Sequence, residues 1–598
     1  MKKINHIPVV VGLIFSNFAY SHQCLKNYSY KEFLNQMTLG EAKSRFGLNL
    51  DESNFAYLKM LLKLAYDKSN NDKPIKLFDP SKQESDSSVQ TVYLVANAPD
   101  KLVSEINLTN YNDLLKRQAE LIPLARGVTL NLHSMQAGTG TSVDRNSYLS
   151  KRLGIPSEKV RNGAKATDLY IPGTDMSIAE ALMHKAFVKS DLYKGIIYTD
   201  LVSGETQDSI EKAWKHVSAE RPDMKGLRRG GKIIQHQIPT LNDQKQLSTN
   251  RLAPGGHGFF AINLIERLLA KTPAETKNQF SVISNGEDLS GSPDPLIVAH
   301  MKKNKIPIMM VTTEKTEIDL KGGQIGIAEG RNKNGQTFFY PTIVEHAQAE
   351  RADQKTFFEK MGLTVGTRKS LFNTNMVIIN EEVLAPLLRT EIEKIGLSNL
   401  FKEISPALIQ NNKKQVDKDG VKRVYTQLEG AMGSIMLKLD QHFRSTNNIP
   451  LITFMNIERE HRTNFFAPIK TAFDYWMLLH SDRFEFNKET FTLKDLAPGF
   501  LPTIKLQDRE TEDKHYANVE NILEAFNGTK ILELDELTIS GKVNLSGLTL
   551  KGKVEIINQT ENPISSEQIR ILFQHKKFIK DVKITFEKSG LIHIEELS

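Results

Sequence analysis

Gln136-Ala137-Gly138-Thr139-Gly140-Thr141 follows an apolar run that ends at Leu132. Small residues directly after a strand let backbone N–H groups close on a phosphate or a flat base. The run is not a P-loop, which needs Gly-Lys-Ser/Thr next, and it falls short of a full dinucleotide fingerprint. Taken alone, it is equally well a tight turn. Further small-residue loops follow it: Gly163-Ala164-Lys165, Ala253-Pro254-Gly255-Gly256-His257-Gly258 and Ser284-Asn285-Gly286-Glu287-Asp288-Leu289. Then come Asp319-Leu320-Lys321-Gly322-Gly323, Phe372-Asn373-Thr374-Asn375, Gln427-Leu428-Glu429 and Pro468-Ile469-Lys470-Thr471. A lysine beside glycines can serve phosphates as a compact point charge. The adjacent acids Glu287 and Asp288, on a turn after a strand, could hold a hard divalent cation. Each group also has a plain structural reading. Lys165 and Lys470 could be solvated surface lysines, His257 could cap a helix, and Asn373 and Asn375 could be turn residues. Glu345 could be an acid on a solvated strand edge.

The elements that must position these loops alternate in type. Val128 to Leu132, Phe280 to Ser284 and Ile306 to Val311 read as buried strands; Asn54 to Leu62, Ile178 to Leu192 and Asn263 to Ala270 read as helices. Strands spaced by helices imply a mostly parallel α/β sheet. Residues 28–120 read as mostly helical. From Leu534 to Asn558 the pattern becomes short apolar/polar steps with glycine at the corners, which suits the rungs of a small β-helix or a β-sandwich.

Composition bounds the rest. The chain has 598 residues, with 78 Lys+Arg against 71 Asp+Glu, a formal charge of +7. Charged residues at 25% and apolar residues at 39% exclude wholesale disorder, collagen and a polytopic membrane protein. No Lys/Arg block singles out nucleic acid. The one cysteine, Cys24, makes an intramolecular disulfide framework impossible and leaves no Cys-based zinc spacing. At the start, Met1-Lys2-Lys3 precedes the apolar stretch Ile7 to Tyr20, and Ala19-Tyr20-Ser21 offers small residues for a signal peptidase. This predicts a signal peptide over 1–21, cleavage before His22, and a secreted or periplasmic mature chain without a stable membrane anchor.

Taken in order, the eight loops resemble those of the eukaryotic-type UTP–glucose-1-phosphate uridylyltransferases, the UDP-glucose pyrophosphorylases. The resemblance runs from about residue 50 to the C-terminus. Leu534-Asp535-Glu536-Leu537-Thr538-Ile539-Ser540-Gly541 also looks like the start of that family's C-terminal left-handed β-helix. The export signal makes the chain look like a secreted bacterial member. The resemblance implies a nucleotidyltransferase α/β domain with a mixed, mostly parallel sheet over 121–500, after a mostly helical segment 22–120 and before a β-helix over 501–598. It implies transfer of UMP from UTP to a hexose 1-phosphate with release of pyrophosphate, assisted by Mg²⁺. Catalysis then rests on positioning and charge neutralisation rather than on a protein nucleophile.

Residue by residue, the resemblance puts Ala137 and Gly138 against uracil, Lys165 on the leaving phosphates and Gln235 on a uracil edge. Gly256 and His257 bracket the uracil and the sugar phosphate. Asn285, Gly323, Glu345, Asn373 and Asn375 hydrogen-bond the ribose or the hexose hydroxyls, and Lys470 bridges the α-phosphate and the sugar phosphate. The metal acid of the family aligns with Glu287, with Asp288 beside it. The chain departs from the family pattern in Ala137 for a glycine, Ala164 for a proline, Thr240 for an arginine and Phe259 for an aspartate. About twenty extra residues, 144–162, enter the first loop. Those departures leave two further readings open: a uridylyltransferase with a protein or other acceptor, and a non-catalytic uridine-nucleotide or interaction protein, as a homo-oligomer or with a host-cell partner. UTP is cytosolic, so export implies either delivery into another cell's cytosol or a site that has drifted to binding alone or to a different acceptor.

Overall fold

Runs such as Met376-Val377-Ile378-Ile379 carry no polar face, so a strand made of them must be covered on both sides. In the computed structural model they lie at the centre of a twelve-stranded sheet. The structure describes residues 37–46, 52–66, 75–79, 89–222, 226–235, 237–292, 294–319, 322–363, 368–406, 408–416, 421–509, 514–574, 576 and 578–597. The signal-peptide region, Cys24 and the cleavage position before His22 lie outside them.

The sheet runs 75–77, 90–94, 323–331, 371–380, 279–285, 129–135, 195–202, 227–234. The strands Thr129–Met135, Gly195–Val202, Leu227–Ile234 and Gln279–Asn285 are mutually parallel, while Leu371–Asn380 is antiparallel to its neighbour. A branch of the sheet continues from 371–380 through 308–314 and 452–457 to 107–110. The stretch expected to be mostly helical, 22–120, does hold the helices Leu39–Phe46 and Glu52–Tyr66, but it also lends the sheet Ile75–Leu77, Gln90–Leu94 and Asn107–Asn110. These strands are three to five residues long; 75–77 pairs with 90–94, and 90–94 and 107–110 are tied to the sheet by strands far along the chain.

Alternation divides the sheet between two cores. Met309, Val311, Met376 and Ile378 pack on one face with the helices Ile178–Lys189, Pro295–Asn304 and Ala472–His480. Ile308, Met310, Val377 and Ile379 pack on the other, with Glu52–Tyr66, Gly258–Ala270, Glu381–Ile395 and Met432–Asn447. The helix expected over 178–192 stays α-helical to Lys189 and tightens into a 3₁₀ turn at 190–192; Ser177 and Glu180 form a capping box at its start. Among the described residues no helix is long and apolar enough to cross a membrane.

The C-terminal region is a second sheet. Thr503–Gln507, Lys530–Ser540, Thr549–Asn558 and Phe578–Phe586 follow one another in parallel, and Ile592–Glu596 closes the sheet antiparallel. Ile539, Ile556 and Ile584 stack in register and are fully buried. The sheet shares its core with the main domain: the Phe526 ring lies 5.0 Å from Trp476 and 5.1 Å from Phe473.

One buried acid tests this packing. Asp200, inside Gly195–Val202, is fully enclosed; Trp214 Nε1 donates to its Oδ2 at 2.7 Å and its Oδ1 has no partner. Burial raises its pKa to about 6, against the opposing pull of the Trp214 hydrogen bond and Arg229. Because the folded state holds this proton more tightly than the unfolded chain, the cost of burying the charge is present above pH 6 and vanishes toward pH 4. Asp200→Asn keeps the acceptor for Trp214 and is expected to be more stable than wild type by about 1–3 kcal/mol at pH 8. Chemical denaturation across pH 5–8 should show that advantage shrinking as the pH falls.

Candidate functional site

Parallel pairing levels several strand ends along one edge. Met135 is in register with Leu201 and with Asn285, and Val202 with Ile234. Gln136, Gly286 and Gln235 therefore leave strands of one parallel run at the same carboxyl edge, the place where open α/β sheets bind ligands.

The first two loops are wedged together. Gln136 Nε2 donates to Ser134 Oγ at 3.2 Å and to the Gly286 carbonyl at 3.1 Å, and the Gly286 amide donates to the Met135 carbonyl at 3.1 Å. A Cβ on Gly286 would stand 2.6 Å from that carbonyl oxygen, so only glycine fits. Ala137 is buried, while Gly138 faces open space. Gly140 takes a left-handed φ of +64°, and a Cβ there would lie 3.0 Å from Lys165 Cβ, so the loop rests on the lysine stem.

Lys165 is not a surface lysine. It opens the short helix Lys165–Asp168, is 7% exposed, and its Nζ lies 3.1 Å from Glu287 Oε1. The Glu287 side chain stays 30% exposed and so reaches the cleft. Asp288 differs. It is buried, and its Oδ1 accepts from the amides of Ser290 at 2.9 Å and Ala467 at 2.8 Å. Burial raises its pKa to about 6, although those two amides and Lys185 pull the other way. Asp288 thus brackets the loop, and Glu287 is the acid of the pair that can meet a ligand.

On the next strand end, Gln235 is buried and its Nε2 donates to the Gly256 carbonyl. Gly256 has φ +80°, and a Cβ there would lie 2.8 Å from the Gly430 carbonyl oxygen, at the end of Lys422–Gly430. Beside it, the Met432 amide donates to His257 Nδ1 at 2.8 Å, so the neutral ring carries its proton on Nε2. Burial lowers the pKa of His257, and the charge on Glu287 opposes that shift. Phe259 points away from this surface: it is buried, with its ring 5.6 Å from Tyr57.

The third wall comes from Leu371–Asn380. Thr312 pairs with Asn373 but Val311 pairs with Met376, so Thr374 and Asn375 form a bulge. Asn375 has φ +62°, which asparagine tolerates. Asn373 Nδ2 donates to Asn375 Oδ1 at 2.9 Å, and Asn285 Nδ2 donates to the Thr374 carbonyl at 3.5 Å. Gly323 pairs with Glu345, and a Cβ on that glycine would stand 2.8 Å from Glu345 Oε1. Burial raises the pKa of Glu345, and the charge on Lys470 opposes that shift. Lys470 is exposed, with its Nζ 5.3 Å and 5.6 Å from the ring centroids of Phe466 and Phe372. Its segment is pinned to the acid loop: the Ile469 amide donates to the Glu287 carbonyl at 3.1 Å and the Leu289 amide to the Ala467 carbonyl at 3.2 Å.

Two lysines on separate elements thus converge on one loop, beside a cluster of amides and one accessible carboxylate. That set can receive a polyphosphate and a second phosphate together. A sequence model of the UTP–glucose-1-phosphate uridylyltransferases matches residues 201–551, well over half of the chain. The chain belongs to that family. It is 29% identical to the UTP–glucose-1-phosphate uridylyltransferase of Saccharomyces cerevisiae over 312 residues, covering 51% of this chain and 52% of that protein. It is 28% identical to the Solanum tuberosum enzyme of the same name over 314 residues, covering 51% and 54%. The chain spans about half the length of the curated relatives it matches. Its fold is that of the UDP-glucose pyrophosphorylase of Leishmania major, with a TM-score of 0.58 and 19% identity over 90% of this chain and 96% of that one. A UDP-glucose phosphorylase of Trypanosoma brucei superposes with the same TM-score, over 88% and 95%.

For this family member, residues that the sequence did not single out complete the site. Gln136 and Gly286 lock two loops together, and Arg145, inside the 144–162 insertion, bonds to the carbonyls of Thr139, Gly140 and Val143. A lone arginine in a polar insertion carries no signal of that role. Gly286→Ala should force the 136 and 286 loops apart and lower stability by about 1–3 kcal/mol. Urea denaturation of the variant beside wild type measures this directly.

Proposed function

We propose that the protein transfers UMP from UTP to glucose 1-phosphate, giving UDP-glucose and pyrophosphate. The observation that carries this reading is the meeting of Lys165, Lys470 and Glu287 around one strand-end loop. An oxygen of the sugar phosphate attacks the α-phosphorus of UTP in line, the bond to the bridging oxygen breaks, and pyrophosphate leaves with that electron pair. No protein nucleophile is needed. The backbone at Ala137 and Gly138, together with Gln235 and Gly256, holds the uracil. His257 Nε2–H is free to donate to a phosphate or carbonyl oxygen. Asn285, Gly323, Glu345, Asn373 and Asn375 hold ribose and hexose hydroxyls. Lys470 sits between the α-phosphate and the sugar phosphate and relieves their repulsion most where they are closest, in the transition state. Lys165, paired with Glu287 before substrate arrives, exchanges that carboxylate for the leaving phosphates.

A Mg²⁺ ion fits this donor set. Mg²⁺ is held through one or two carboxylates plus phosphates and water. Glu287 supplies an accessible carboxylate, while Asp288 spends one oxygen on two amides. Among the described residues no group of three or more His, Cys, Asp or Glu is placed to hold a metal ion. When bound, the ion neutralises charge on the departing pyrophosphate.

Two further readings belong to this proposal. The parallel, in-register strands 503–586, with glycine corners such as Gly541 and Gly552, support a left-handed β-helix for the C-terminal domain. The signal sequence supports export, with action on the nucleotide sugars of a host cell. N-terminal sequencing of secreted protein should then begin at or near His22, and an intact Met1 would count against it. The 144–162 insertion, the place where a protein acceptor would be sought, starts with backbone bonds to the C-terminal part, Asp144 to Ala517 at 2.8 Å and Val519 to Asp144 at 2.9 Å.

The deciding experiment is pyrophosphate release from UTP against a panel of sugar 1-phosphates, with glucose 1-phosphate expected to be the best acceptor. In that assay Lys470→Met should lower kcat by roughly 10²–10³ and leave UTP affinity nearly intact; turnover equal to wild type would remove Lys470 from the reaction. Glu287→Gln should cost more in rate than in stability, Asp288→Asn the reverse, and excess chelator should abolish turnover of the wild type. Equal rate losses for the two acids, with unchanged stability, would return Asp288 to the metal.

A further inference from the structure

Arg145 stands in the segment 144–162, which the family pattern lacks, yet it is the most completely engaged cation near the site. It is 1% exposed. Each of its five N–H groups has an acceptor. Nη1 donates to the carbonyls of Gly140 at 3.0 Å and Val143 at 2.8 Å. Nη2 donates to the Thr139 carbonyl at 2.7 Å and to Asp168 Oδ2 at 3.0 Å, and Nε reaches the same oxygen at 3.2 Å. Asp168 Oδ2 also accepts from the Gly163 amide at 3.0 Å. One guanidinium therefore ties the loop 139–143 to the turn 163–168 that carries Lys165. Gly140 then packs on the Lys165 stem.

The same segment reaches the other domain. Beside the backbone bonds of Asp144 to Ala517 and Val519, Asn518 Nδ2 donates to Asp144 Oδ2 at 2.9 Å, and Lys151 pairs with Glu520. The start of the insertion thus sits between the two: Asp144 is bonded to residues 517–519, and Arg145 beside it lies under the glycine loop.

We propose that Arg145 is a positioning residue for the nucleotide, holding the 137–143 loop and Lys165 as one body in the geometry that receives UTP. The inference rests on the uridylyltransferase reading above. A planar fork with five donors is required, because three carbonyls and a carboxylate lie around it in different directions; a lysine has one point charge and three donors and cannot span them. Glycines at 138 and 140 leave the loop many conformations to lose on binding, and Arg145 removes that freedom beforehand. The hexose side, built on Asn285, Glu345, Asn373 and Asn375, hangs on other strands and has no bond to Arg145.

The test measures UTP affinity by calorimetry, thermal midpoints, and KM for each substrate on the full chain. Arg145→Met should weaken UTP binding, and raise its KM, about 10–100-fold, the scale of losing charged hydrogen bonds. At saturating UTP, kcat should fall little, and KM for glucose 1-phosphate should stay the same. Arg145→Lys keeps a charge opposite Asp168 and should fold, but should not restore UTP affinity. Arg145→Met with Asp168→Asn leaves no buried charge stranded; it should regain the thermal midpoint without regaining UTP affinity. Wild-type UTP affinity in any folded variant lacking Arg145 overturns the proposal, as does an equal rise in both KM values. A wild-type chain that binds no UTP removes the functional reading and this inference together, whereas normal binding by the variants removes this inference alone.

Discussion

Lys165 is buried where a carboxylate meets it, and its contact with Glu287 at 3.1 Å is the interaction on which the cleft is arranged. An ion pair of this kind on the open surface contributes little. Withdrawn from water it is different: removing either partner strands the other, which is the costly event. The pair also joins the helix 165–168, on whose lysine stem the glycine loop after 129–135 rests, to the loop that leaves 279–285. Register, glycine placement and charge are therefore not separate features here. The loops must be small enough to approach, level enough to face one another and oppositely charged where they meet.

Much of this was legible in the sequence. Buried apolar runs gave 129–135, 279–285 and 308–314 to within a few residues, because continuous β-branched or apolar stretches have few alternatives. The glycine loops marked the strand ends, and the order of the loops pointed to the family. What stayed hidden depended on long-range geometry. Asn107–Asn110 has no apolar alternation of its own and becomes a strand only because 452–457 offers it an edge. Asp288 looks the equal of Glu287 in sequence, and only the position of the Ala467 amide turns its carboxylate inward. Phe259 stands where a charged residue would be expected, and its place in the core beside Tyr57 follows from a helix outside the family's central motifs.

The C-terminal sheet meets the rest of the chain through an apolar and a polar contact, among others. The apolar join is the Trp476–Phe473–Phe526 cluster, which makes the C-terminal sheet part of the same core as the helix that follows Lys470. The polar join is the insertion from Asp144. Both lead from the C-terminal sheet toward a lysine of the candidate site, one through the 472–480 helix and the other through the 139–143 loop. The domain that carries none of the site residues is thus in contact with the supports of both.

The bulge at Thr374 and Asn375 has a consequence for how this chain can vary. On one side of it, Asn373 serves the cleft; on the other, Met376, Val377, Ile378 and Ile379 divide strictly between two cores. Parity links the two ends. A deletion of one residue here would turn every apolar side chain beyond it to the opposite face, or else swing Asn373 out of the cleft. Length changes at this point must therefore come in pairs.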